Sequence, residues 1–331
     1  MTQVLELDPE RPQQDAIKRA ASIIRDGGLV AFPTETVYGL GADAMNENAV
    51  LRIFEAKGRP SDNPCIVHVA SRRMLDEVSI GIDAKAERLI KNFWPGPLTL
   101  VLGRKADVPS SVSAGLSTIA VRMPNNRIAL ELIEAAGVPV AAPSANSSGR
   151  PSPTTATHVF DDLAGRIDLI LDGGDTKIGI ESTVLDMTSD PPIILRPGWI
   201  TKEMLRSVIG AVGDSSSEED LRRSPGTRHR HYSPRARVIL IEYGTTQQIE
   251  KLCVEHLNRG SVGFIGHSRL SINNESFYPI YLEAEADKYA HSIYSALREI
   301  DSRNPEIIIV EGINNEGLGA SVMDRLRRAA S

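Results

Sequence analysis

Lys57 and Arg59 flank a single glycine in the string Lys57-Gly58-Arg59-Pro60, and Asp62-Asn63-Pro64 follows at once. An arginine fork matches paired phosphate or carboxylate oxygens, lysine adds a compact charge, and Gly58 lets the backbone approach a ligand closely. The string reads as an anion site. It reads about equally well as a solvated turn whose cations complement the C-terminal dipole of a preceding helix. Ala141-Ala142-Pro143-Ser144-Ala145-Asn146 follows an apolar run. In an extended chain Ser144 and Asn146 point the same way and could bond a ribose or a phosphate, although an Asx or Ser turn would use the same residues.

Arginines close two further apolar runs. Arg122 ends Ser117-Thr118-Ile119-Ala120-Val121-Arg122, and Arg196 ends a run shortly after Gly179-Ile180-Glu181-Ser182-Thr183-Val184. A charge there is costly unless paired. A structural carboxylate would pair it, and so would a bound carboxylate or phosphate. The last string, Ser224-Pro225-Gly226-Thr227-Arg228-His229-Arg230-His231-Tyr232-Ser233-Pro234, lies in a polar stretch. It is either a soluble spacer or a segment with a ligand-facing role. No G-x-x-x-x-G-K-[ST], G-x-G-x-x-G after a strand, H-E-x-x-H or G-x-S-x-G is present, and the histidines show no metal spacing.

Alternating strand and helix patterns must position these groups. Helices are predicted over 12–26, 50–55, 84–93 and 128–136, and strands over 29–32, 66–69, 98–102, 118–122, 138–142, 169–171 and 183–186. That alternation means α/β layers, and hairpin-like pairs among the strands point to a mixed sheet. After residue 209 the chain turns polar and rich in Gly, Ser and Pro, a linker signature. The pattern then restarts with strands over 238–242, 262–265 and 307–310 and helices over 247–257, 289–300 and 320–330. We therefore expect three parts: a catalytic domain over 1–209, a linker or lid over 210–236, and a small α/β domain over 237–331. A length of 331 residues fits two domains.

The net charge of −6 argues against a dedicated nucleic-acid binder. Two cysteines, Cys65 and Cys253, form no disulfide framework or zinc pattern and read as core residues. The N-terminus lacks a basic start with an apolar core, and no apolar run nears the ~18 residues of a membrane span. A cytoplasmic protein with no membrane contact is expected.

Taken in order, FPTETVYGLG, KGRP, the HV at His68, FWPGPLTLVL, APSAN, GIEST, LRPG and SPGTRHRHYSP form a set that closely resembles the Sua5/YrdC/YciO family, in its longer Sua5 form. The match is dense over 10–234 and looser beyond. The resemblance implies a twisted mixed-sheet YrdC-like domain plus a small Rossmann-like α/β C-terminal domain. It implies synthesis of L-threonylcarbamoyladenylate and pyrophosphate from L-threonine, bicarbonate or CO2, and ATP, for N6-threonylcarbamoyladenosine in tRNA. Carried over by motif, Thr36, His68, Arg122, Ala142 and Ser182 would form the threonine shell. Lys57, Arg59, Asn63, Thr118, Ser144, Asn146, Ser152 and Arg196 would hold ATP, Tyr232 would close over it, and Lys57, Arg59, Ser144 and Asn146 would carry catalysis. Mg2+ would enter with ATP, with no metal ligand from the protein. Partners would be the tRNA threonylcarbamoyl transferase machinery and, weakly, tRNA.

Two rivals remain at this level. Arg222, Arg223, Arg228, Arg230, Arg235 and Arg237 could make the chain a tRNA- or double-stranded-RNA-binding module, but Tyr232 is the single aromatic among them. A carbamoyltransferase-type maturation enzyme would need zinc-finger cysteine spacing, which is absent.

Overall fold

The structure is a computed structural model that describes residues 1–215, 224 and 232–331. It divides into two units, the first holding Met1–Ser148, Ser152–Lys177 and the described residues from 181 to 224, the second holding Gly149–Pro151, Ile178–Ile180 and residues 232–331.

The first unit is built on a mixed sheet. Its strands are β1 (Gln3–Glu6), β2 (Val30–Phe32), β3 (Gly39–Asp43), β4 (Ile66–His68), β5 (Ser79–Ile80), β6 (Leu98–Arg104), β7 (Thr118–Arg122), β8 (Val140–Ala141), β9 (Leu169–Asp172), β10 (Thr183–Asp186), β11 (Ile193–Arg196) and β12 (Gly213–Asp214). The order is β1-β9-β2-β3-β8-β4-β7-β6-β10-β11-β12, with β5 on the side of β6. Parallel pairs (β4 with β7, β6 with β10) alternate with antiparallel ones (β4 with β8, β6 with β7), so the expected mixed sheet is present.

Alternation along the central strands separates two faces. Val67, Val121, Leu100, Leu102 and Leu185 join the main core, which includes apolar faces of α1 (Gln14–Arg25), α2 (Glu47–Lys57) and α5 (Arg127–Ala136). Ile66, Ala120, Val101 and Val184 form a separate, smaller apolar cluster. Capping residues set the helix ends, and α2 begins three residues before and ends two after the predicted 50–55. Asn46 and Asn126 cap α2 and α5 by accepting the N–H of Ala49 and Ala129, and Gly58 and Gly137 end them in the left-handed region.

Strand β3 is not legible from GLGAD, which lacks the branched residues of a strand. Its small residues are a packing demand: a Cβ on Gly41 would lie 2.7 Å from the Phe32 ring and 2.9 Å from Val140.

The second unit carries the parallel sheet β13-β16-β14-β15, from β13 (Arg237–Ile241), β14 (Val262–Gly266), β15 (Phe277–Tyr281) and β16 (Ile307–Glu311). Its helices include Ala286–Ser302 and Leu318–Ala330. The restart pattern missed β15, whose Pro279 would be excluded from a central strand and is tolerated at this edge. Cys65 and Cys253 are both buried, and burial pushes both thiols up, Cys253 to about 12. No helix among the described residues is long and apolar enough to cross a membrane.

Asp301 closes the start of this unit. Its side chain is 2% exposed and accepts the backbone N–H groups of Arg235 and Ala236 at 2.8 and 3.1 Å, and Nε of Arg235 at 3.1 Å. Asp301→Ala strands both backbone donors. It should lower the unfolding free energy of this unit by about 2–4 kcal/mol in denaturant titrations, with Asp301→Asn losing less.

Candidate functional site

Sheet register assembles one row of polar residues across the first unit. His68 and Arg122 are direct partners on β4 and β7, and Val184 pairs with Thr99 on β6 and with Arg196 on β11. Strand alternation puts His68 and Arg122 on the same face as Ile66, Ala120 and Thr118. The smaller apolar cluster is therefore the floor on which these polar groups stand. Sequence separation is no obstacle, because neighbouring strands lie only about 4.8 Å apart.

Arg122 and Arg196 are both tied down by hydrogen bonds. Arg122 is 3% exposed; Nε donates to Gly96 O at 3.2 Å and Nη1 to Thr36 Oγ1 at 2.9 Å. Thr36 Oγ1 lies 2.8 Å from Thr34 Oγ1, so the loop between β2 and β3 brings its hydroxyls to the guanidinium. Arg196 donates through Nε and Nη2 to Ser182 O at 3.2 and 3.0 Å and through Nη2 to Ser182 Oγ at 3.2 Å. Ser182 Oγ also lies 2.8 Å from Thr99 Oγ1. Behind Ser182, Gly198 is obligatory: a Cβ there would sit 2.3 Å from Thr183 N and 2.5 Å from the Ser182 carbonyl carbon. The glycine of LRPG thus lets that turn lie against GIEST. Ser152 donates its hydroxyl to Glu181 Oε1, the carboxylate next to Ser182.

A second group gathers where β4 and β7 begin. Lys57, at the end of α2, is 3% exposed, and its Nζ donates to Ser144 O at 2.5 Å and to Asn146 O. Arg59 Nη2 donates to Asn63 O at 3.2 Å and Pro64 O at 2.9 Å, just before β4. Ser144 Oγ donates to Asn146 Oδ1 at 2.6 Å, so these side chains do share a side. The turn is anchored by Ala142 N–H on Ile66 O at 2.8 Å and Ala145 N–H on Tyr38 O at 2.8 Å. Thr118 is half-buried and opens β7. On the strand rise it lies about 13 Å from Arg122 along the same face.

Tyr232 belongs to the second unit. It is 4% exposed, has a φ of 65°, stacks on Tyr294 at 5.5 Å between ring centroids, and has the Arg325 guanidinium 5.4 Å from its ring. Most of the basic linker string lies outside the described residues; of it, Arg235 holds Asp301. Glu35, Thr99 and Glu181 touch the candidate residues but were not among the sequence-derived candidates. Glu35 alone carried a signal, a carboxylate between two threonines in an apolar stretch.

His68 is 3% exposed, with Phe32 edge-on at 6.2 Å. Burial first, and the neighbouring Arg122 charge second, pull its imidazole down to about 3. It is therefore neutral at every physiological pH, a polar group rather than a charge. A cavity of about 430 Å³ elsewhere in this unit is lined by Glu6, Asp172 and Asp175. Its carboxylates make it a poor host for an anion.

The Sua5/YciO/YrdC family model, described as "Telomere recombination", matches residues 22–198, and a model for the C-terminal domain of threonylcarbamoyl-AMP synthase matches 200–331. The chain is 48% identical to the threonylcarbamoyl-AMP synthase of Pyrococcus abyssi, over 97% of this chain and 96% of that one. It is 45% identical to that of Bacillus subtilis, over 98% and 95%. The crystal structure of P. abyssi Sua5 complexed with L-threonine superposes with a TM-score of 0.94 at 46% identity, covering 100% of this chain and 97% of the other.

The depressed His68 sets a pH dependence. The unfolded chain takes up a proton on this imidazole below its ordinary value of 6.5, and the folded chain does not until about 3. Stability from this group is therefore lost as pH falls from 6.5 towards 3, by at most about 1.4 kcal/mol per pH unit. Denaturant titrations across that window should show a shallower acid loss for His68→Gln than for the parent.

Proposed function

The chain belongs to the Sua5/YciO/YrdC family as a threonylcarbamoyl-AMP synthase of the Sua5 type, and from that premise we propose how its residues divide the work. L-Threonine, bicarbonate and ATP become threonylcarbamoyl-AMP, pyrophosphate and water. The observation that carries the reading is the gathering of polar side chains at the two ends of β7. Arg122, His68, Thr36 and Ser182 stand by the end of β7, and Lys57, Arg59, Asn63, Ser144 and Asn146 gather where it begins. An amino acid at one end and a nucleotide at the other would bring the carbamate to the α-phosphate between them.

Arg122 would take the threonine carboxylate, and neutral His68 with Thr36, Ser182 and the Ala142 backbone would hold the rest of the amino acid. The amine adds to CO2 or bicarbonate. An α-amine with a pKa near ~8 is partly neutral at pH 7, so no strong base is required. The carbamate oxygen then attacks the α-phosphorus and pyrophosphate leaves, a step that rests on alignment and charge neutralisation. Lys57, Arg59 and Arg196, with Thr118, Ser144, Asn146 and Ser152, would bind and align the triphosphate and nucleoside. Water must be kept from the labile carbamate. The donor set around the nucleotide end is cationic and amide-like, suited to phosphate oxygens and not to a metal. A divalent cation, which we take to be Mg2+, therefore fits as the companion of ATP, where it would neutralise the departing pyrophosphate. The product would pass to the tRNA threonylcarbamoyl transferase machinery, in the cytoplasm.

Pyrophosphate release by the full chain tests this directly. It should require ATP, L-threonine and bicarbonate together, and release that persists without threonine would overturn the reading. Arg122→Lys should raise the KM for threonine by about 100-fold while the KM for ATP stays within about threefold. An equal rise in both would refute the division of roles.

A further inference from the structure

Glu35 lies between the two threonines of the β2–β3 loop, and its side chain is 5% exposed. A carboxylate buried so far is costly unless it is both paired and hydrogen-bonded. It has the first and lacks the second. Nη2 of Arg122 stands 2.7 Å from Oε2, yet neither Glu35 oxygen receives a directed hydrogen bond among the described residues. The neighbouring hydroxyls are turned elsewhere: Thr34 Oγ1 donates to Val37 O at 2.7 Å, and Thr36 Oγ1 accepts from Arg122 Nη1.

Acceptor capacity is thus held in a buried place, against the guanidinium to which the proposed function gives the threonine carboxylate. We propose that Glu35 is a further substrate-binding residue, accepting an N–H of the α-amino group of L-threonine while Arg122 holds the carboxylate; this rests on the reading above and deepens it. A Glu–Arg pair presents an acceptor and a donor side by side. An α-amino acid presents the complementary donor and acceptor on one carbon. The contact also survives the chemistry, since the amine nitrogen keeps one N–H as carbamate and as threonylcarbamoyl group. An acceptor there serves substrate and product alike, whereas a second cation would hold only the carboxylate.

The rival role for Glu35 is to orient Arg122 and nothing more. Two ligands separate the roles: L-threonine, and 3-hydroxybutyrate, which is threonine without its amine. Each is titrated into the full chain, or run as a competitive inhibitor of pyrophosphate release, with Glu35→Met and Glu35→Gln. Loss of the amine contact should weaken threonine about 10- to 100-fold in Glu35→Met. The same change frees Arg122 of a neighbouring negative charge, so 3-hydroxybutyrate should bind as well or better. Glu35→Gln keeps the shape and one acceptor oxygen, and should show a smaller loss confined to threonine. Equal weakening of both ligands, or no weakening of threonine, would overturn the inference while leaving the functional reading intact. A parent protein that binds no L-threonine would overturn both.

Discussion

Buried cations held by backbone carbonyls are the constraint on which this site depends. Lys57 reaches the carbonyls of Ser144 and Asn146, Arg59 those of Asn63 and Pro64, Arg196 that of Ser182, and Arg122 that of Gly96. A carbonyl satisfies an N–H without cancelling the charge that the N–H carries. Each of these contacts therefore fixes a side chain and a loop together. It also explains why the chemistry-bearing motifs lie far apart in sequence. Three of the four cations sit on one motif with the carbonyl on another (Lys57 of KGRP on APSAN, Arg196 of LRPG on GIEST, Arg122 on Gly96), while Arg59 bonds within its own stretch. Removing either partner would loosen both.

Arg122 donates to the Gly96 carbonyl and also has the Glu35 carboxylate at 2.7 Å. Its charge is partly countered before any ligand arrives. A phosphate site would gain nothing from such a counterion, whereas a site for a zwitterion would. The neutral His68 beside it fits the same view, because burial and the Arg122 charge both oppose protonation. The Glu35 carboxylate and the neutral imidazole beside Arg122 suit a ligand that carries both charges.

The strands that carry the site were legible because their apolar runs are long and end in charges: 118–122 appears as β7 with its bounds intact, and 183–186 as β10. The helix predicted over 128–136, with its Asn126 cap and Gly137 stop, was read to within one residue of Arg127–Ala136. What stayed hidden was set by packing between segments. GLGAD is a strand because Phe32 and Val140 leave room for nothing larger at Gly41, and FYPIY is one because it lies at a sheet edge. The site residues came from motif order, since a lone Lys-Gly-Arg is equally a solvated turn. Glu35, Thr99 and Glu181 escaped because their partners are known only once the register is known. Of the arginine run of the linker, Arg235 is held by Asp301, while Arg222, Arg223, Arg228 and Arg230 lie outside the described residues.

The second unit resembles a nucleotide-binding half in outline, with parallel strands and helices, and ligands of such sheets gather beyond the carboxyl ends of the strands. Here that position is filled from within. At the end of β14 the backbone N–H groups of His267 and Ser268 both donate to Glu311 Oε2 at 2.8 Å, and Ser268 Oγ donates to Oε1 at 2.6 Å. Successive N–H groups of this kind form a nest for an anion, and the chain's own carboxylate occupies it. A Cβ on Gly266 would lie 2.5 Å from that carboxylate oxygen, so the glycine is required for the arrangement. A phosphate would have to displace a carboxylate that holds two backbone donors and a hydroxyl. The fold alone would have assigned this unit a nucleotide, but its own carboxylate fills the nest a phosphate would need.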